Sequence, residues 1–117
     1  MGVHGEPGVS RQTLPTAARL ATDMVQRLLA DLRPREGDAV AVIVNGLGAT
    51  PLSELFVMYH SIHPLLIGAG LQIFRSYVGN YVSSLDMAGC SITVMRMDSE
   101  LKRLILAPAE SPAFIQV

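Results

Sequence analysis

The sequence predicts a small α/β domain, a layered mixed β-sheet with flanking helices. Three observations carry that prediction. Residues 39–44 read AVAVIV, an unbroken valine-rich apolar run of the kind that forms a strand buried on both faces. The segments before and after it carry apolar residues at three- and four-residue spacing, the helical period. Two further strand-like runs follow, joined by a segment too short for a helical crossover. At 117 residues the chain suits one domain and not two.

Taken in order, residues 1–12 read as loop, with Glu6-Pro7-Gly8 suited to a type II turn. A helix is predicted over 14–32. Ala17, Leu20, Ala21, Met24, Val25, Leu28 and Leu29 share one face, and Arg19, Asp23, Arg27 and Asp31 take the other. Thr13 or Thr16 is placed to cap it and Pro34 to end it. After the strand at 39–44 comes a glycine loop, NGLGA, and then Thr50 as N-cap and Pro51 as first helical residue. Leu52, Leu55, Phe56, Tyr59 and Ile62 stripe this second helix, which Pro64 is expected to break or kink. Strands are predicted over 71–78 and 91–97, with an antiparallel or irregular connection between them. Asp98 or Ser99 caps a short helix reaching about residue 106. The proline-punctuated tail 107–117 is expected to lie along the surface. The organisation is thus a loop (1–12), an α/β body (13–106) and a tail (107–117). The first strand needs a neighbour on each side, and the visible strands can barely supply them.

Composition narrows the function. Half the residues are hydrophobic, 16% are charged and the formal net charge is −1. Basic residues are interspersed with acidic ones, and only three tyrosines and three phenylalanines could stack on bases, which argues against nucleic-acid binding. No apolar run approaches the ~20 residues of a membrane span, and the first residues lack the pattern of a secretory signal. Cys90 is the only cysteine, so no internal disulfide can form. A cytoplasmic protein with a partner-seeking apolar surface is expected.

Several residues are candidates for chemistry. Asn45-Gly46-Leu47-Gly48-Ala49-Thr50 sits between strand and helix, where a phosphate cradle would lie. It has no Lys-Ser/Thr pair, and Pro51 stands where a dinucleotide fingerprint needs glycine, so a purely structural turn is preferred. His60 and His63 have a metal-ligand spacing without a convincing third ligand, and surface or half-buried histidines are the better reading. Cys90 reads as a small core residue, and Glu54 and Asp86 as capping or loop residues. His4 differs, because Gly2 and Gly5 flank it and allow close approach of a small molecule. A neutral imidazole nitrogen is a competent nucleophile toward a carbonyl carbon. An idle, solvent-exposed histidine is the competing reading.

Three stretches, GVHGEPG at 2–8, VNGLGATPLSELF at 44–56 and YVGNYVSSLDMAGCSITVMRMDSEL at 77–101, resemble the dihydroxyacetone kinase family. The wording NGLGATPLSEL is more similar to the substrate-binding subunit of the phosphoenolpyruvate-dependent type than to the ATP-dependent kinases. The resemblance runs along essentially the whole chain and covers the C-terminal third or so of that substrate-binding domain. It implies that His4 holds dihydroxyacetone covalently as a hemiaminal for phosphorylation. It also implies a homodimer and a separate helical subunit or domain that carries ADP or ATP with Mg2+, with no cofactor or metal on this chain. Other active-site groups of the family lie upstream of the histidine motif. Met1 coincides with a methionine inside that motif, so the resemblance implies a fragment that is inactive alone. Pro64 departs from the helix former usual in relatives. A non-catalytic homologue that senses a ketone or docks a partner is the alternative.

Overall fold

A computed structural model describes residues 7–117 of the chain. The first helix, α1 (Ala17–Leu32), starts at Thr16, whose hydroxyl accepts the Arg19 N–H at 3.3 Å. It ends at Arg33, which adopts the left-handed conformation one residue before Pro34. The chain then forms β1 (Ala39–Gly46), α2 (Leu52–Gly68), β2 (Gln72–Gly79), β3 (Cys90–Arg96) and α3 (Ser99–Ile105). Asp98 caps α3 by accepting the Leu101 N–H at 2.8 Å. No helix among the described residues is long and apolar enough to cross a membrane.

The sheet order is β2-β1-β3, with β1 parallel to β2 and antiparallel to β3. The valine-rich strand is therefore central, as its two-sided hydrophobicity demands, and the mixed sheet matches the expected class. Alternate side chains of a strand face opposite ways. Val40, Val42 and Val44 enter a core with Ala21 and Val25 of α1 and Leu55, Met58, Ile62 and Leu66 of α2. Ala39 and Ala41 face the other side and pack with Met97, Leu101 and Ile105. Each fully buried aliphatic such as Leu55, Ile62 or Leu66 contributes about 1.5–3 kcal/mol of transfer free energy.

Three expectations are corrected. Pro64 does not break α2, which runs through it to Gly68. The carbonyl that loses its donor belongs to His60, and both residues are exposed, so water can take the missing partner's place. The buried stripe of α2 is Leu55, Met58, Ile62 and Leu66, whereas Leu52 and Phe56 are about half exposed, at 48% and 53%. Thr50 is not the N-cap: Pro51 takes that position with no side-chain bond, because the Thr50 hydroxyl is committed elsewhere. The tail is largely exposed, as expected, and contains a hairpin, β4 (Ala109–Ser111) paired with β5 (Phe114–Gln116).

Arg96 ties the amino end of β1 to the carboxyl ends of α1 and β3. Its guanidinium donates to the Leu32 and Arg33 carbonyls at 3.0 and 3.2 Å and pairs with Asp38 at 3.1 Å. Carbonyls left open at the end of α1 are thus satisfied from β3.

Candidate functional site

In α/β sheets ligands bind beyond the carboxyl ends of the strands. At that end of β1 two segments meet: the turn from β1 into α2, residues 45–51, and the β2–β3 connection, residues 80–89. β2 ends there and antiparallel β3 begins there, so the connection has to pass over the end of β1.

Asn45 holds the connection down. It is 6% exposed and is the only buried polar residue among the described residues. Its Oδ1 accepts the Tyr81 and Val82 N–H groups, each at 2.9 Å. Its Nδ2 donates to the Val82 carbonyl at 2.7 Å and to Ser91 Oγ at 3.3 Å. A side-chain amide offers a donor and an acceptor in one plane, so one residue can imitate a strand neighbour for a segment that has none.

The two segments are then laced backbone to backbone. The Leu47 N–H donates to Gly89 O and the Ala49 N–H to Met87 O, both at 3.1 Å, and the Ser84 N–H donates to Leu47 O at 3.0 Å. Thr50 Oγ1 donates to Gly89 O at 2.9 Å and accepts the Gly89 N–H at 2.8 Å. Gly48 has φ +120°, and a Cβ there would lie 2.7 Å from the Ser84 carbonyl oxygen. Both the conformation and the space require glycine.

This geometry bears out the structural reading of NGLGAT. A phosphate cradle needs backbone N–H groups aimed at the ligand, and those of Leu47 and Ala49 are spent on carbonyls of the connection. Glu54, in the first turn of α2, adds negative charge where an anion would sit.

The other candidates separate. Cys90 pairs with Gly46 in the sheet and packs against the main core, as a small core residue should. Burial pushes its thiol pKa up, which keeps it protonated. His60 and His63 are exposed on α2, with the His63 ring edge-on to Tyr59 at 5.9 Å. Among the described residues no group of three or more His, Cys, Asp or Glu side chains is arranged to hold a metal. Glu54 and Asp86 are exposed. His4, with the first part of the Glu6-Pro7-Gly8 turn, lies outside the described residues. Sequence reasoning placed Asn45 in the candidate cradle and missed its pinning role, whose signal was a lone amide closing an otherwise apolar buried strand.

The profile of the Dak1 domain matches residues 1–113. The chain belongs to the Dak1 domain family. Within it, the chain is 49% identical over 114 residues to the D-erythrulose kinase of Mycolicibacterium smegmatis, covering 97% of this chain and 20% of that protein. It is 43% identical over 100 residues to the dihydroxyacetone-binding subunit of PTS-dependent dihydroxyacetone kinase 1 of Listeria innocua, covering 86% of this chain and 30% of that subunit. A solved Dak1-type structure, described under regulation of the dha operon of Lactococcus lactis, superimposes with a TM-score of 0.90 at 30% identity. That alignment covers 98% of this chain and 37% of the other. The chain thus spans a fifth to a third of the length of the curated relatives named here.

Proposed function

We propose that this chain supplies the ketose-anchoring loop and the supporting α/β body of a dihydroxyacetone-kinase substrate-binding domain, with His4 as the covalent anchor. The observation that carries the reading is the Dak1 match across residues 1–113, which includes the GVHGEPG loop. The substrates in the relatives' names, erythrulose and dihydroxyacetone, are both hydroxyketones, so one carbonyl chemistry serves them all.

In the anchoring step, an imidazole nitrogen of His4 donates its lone pair to the ketone carbon. The carbonyl π pair moves to oxygen, which takes a proton, while the other ring nitrogen releases one to solvent. The product is a neutral hemiaminal that fixes the hydroxymethyl group to be phosphorylated. Glycerol has no carbonyl and is rejected. The phosphoryl donor, ADP- or ATP-derived with Mg2+, belongs on a separate helical subunit or domain in a cytoplasmic, homodimeric assembly. Phosphoryl transfer is mainly a matter of alignment and charge stabilisation, so holding the two reactants on separate bodies is physically reasonable. The chain alone is expected to transfer no phosphate, in keeping with the spent N–H groups of the 45–50 turn.

The test uses dihydroxyacetone labelled with 13C at the ketone. Bound to the chain, its resonance is expected to leave the carbonyl region for that of a tetrahedral carbon bearing nitrogen and oxygen, and His4→Ala abolishes the shifted signal. A ligand that stays a free ketone, or a His4→Ala protein that gives the same adduct, overturns the assignment. A second reading is favoured by the structural neighbour concerned with operon regulation: a homologue that senses the ketone or docks a partner without phosphoryl transfer. Adduct formation without phosphorylated product, when the complete kinase machinery is supplied, selects it.

A further inference from the structure

We infer that the C-terminal hairpin is a latch on the β2–β3 connection, acting through Tyr81, so that seating the hairpin adds to the order that Asn45 and the 45–50 turn give the loop over the carboxyl end of β1. Tyr81 is held on two sides. Its backbone N–H is bound by Asn45 Oδ1 at 2.9 Å. Its ring stands edge-on to Phe114 of β5, with centroids 6.0 Å apart at 76°, and to Tyr77 of β2, 6.2 Å away at 86°. Phe114 and Tyr77 meet at 5.6 Å and 69°, which closes a three-ring cluster.

Gln116 keeps Phe114 there. Its Oε1 accepts from the Tyr77 hydroxyl at 2.8 Å and from Arg75 Nη2 at 3.4 Å. Its Nε2 donates to the Ile105 and Ala107 carbonyls, both at 2.8 Å. The amide is used at both ends, joining β5 to β2 and to the end of α3.

Neither partner of this contact has a core of its own. Two three-residue strands make a hairpin that is marginal in water without outside anchoring. The connection contains no strand or helix, and its Val82 and Leu85 are 77% and 103% exposed, so it buries little apolar surface of its own. Asn45 and the bonds to Leu47, Ala49 and Thr50 fix one side of it, and the ring cluster the other. Two weak segments that share Tyr81 order each other, and by linkage whatever binds and orders one also favours the other.

Hydrogen exchange of the full chain tests this. Gln116→Ala leaves all three rings chemically intact and removes only the seating bonds, and Phe114→Ala removes the ring contact itself. Ile115→Ser, at an exposed hairpin position, is the control. In both test variants exchange at the Tyr81, Val82 and Ser84 amides is expected to rise roughly tenfold, the loss of one or two edge-to-face contacts. Exchange in β1 stays unchanged, and Ile115→Ser matches the unaltered chain. Loop amides that keep their original rates in Gln116→Ala, or β1 amides that accelerate by the same factor, overturn the latch.

Discussion

Replacing Asn45 by alanine is expected to cost about 2–4 kcal/mol, and the figure follows from its contacts. The side chain makes four hydrogen bonds, two accepted from Tyr81 and Val82 N–H and two donated to Val82 O and Ser91 Oγ. At about 0.5–1.5 kcal/mol net apiece they total roughly 2–6 kcal/mol. The upper end is discounted because Val82 is exposed and water reaches part of what is orphaned. The 3.3 Å bond to Ser91 is also the weakest of the four. With a urea m-value of about 1.5 kcal/mol/M, the unfolding midpoint falls by roughly 1–3 M with the slope unchanged. Asn45→Asp sharpens the test. It keeps acceptors for both N–H groups, but it faces the Val82 carbonyl with a carboxylate instead of a donor and is expected to lose at least as much at neutral pH. A midpoint within about 0.3 M of the parent for either variant would falsify the claim that Asn45 pins the connection.

Two other predictions concern stability. Pro64→Ala is expected to raise the melting temperature by several degrees in calorimetry, since an interior helical proline costs about 3 kcal/mol against alanine, offset by less than about 1 kcal/mol of unfolded-state entropy. A lower melting temperature would mean that the ring is packed against something that α2 needs. Cys90 sets an alkaline limb. Burial raises its folded pKa above the unfolded value, so its contribution is complete below the unfolded pKa and declines as pH rises through the folded one. Cys90→Ala should flatten stability in that alkaline window, and the native thiol should react with iodoacetamide more slowly than a free cysteine at mildly alkaline pH. A native thiol as fast as the free one refutes the burial argument.

The parts of the fold legible in the sequence are those set by local periodicity. The AVAVIV run gave away a central strand, because only a strand covered on both faces tolerates six apolar residues in succession. The face of α1 was readable for the same reason: its polar residues sit opposite its apolar ones. α2 was harder, since apolar residues surround it nearly completely, and periodicity alone could not choose Met58 and Leu66 over Leu52 and Phe56. The hairpin at 109–116 was invisible because its order comes from contacts made by Gln116 and Phe114 with distant β2 and with the end of α3. The glycines of the 45–50 turn were correctly read as structural, but the reason lay some forty residues away, in the segment that laces onto them. Thr50 was misassigned for that same reason, since a capping residue and a lacing residue look alike until the distant partner is known.

The strand order has a consequence for how the chain is made. The ribosome delivers β1 before either of its neighbours, and β3, the second of them, arrives only with residues 90–96. Through that interval the nascent chain carries an uncharged, valine-rich strand with at least one edge unpaired, the kind of surface that recruits other strands. No charge within 39–46 defends it. Yield of folded protein should therefore depend on the pace of synthesis between β1 and β3 and on chaperone supply, more than on the stability of the finished domain.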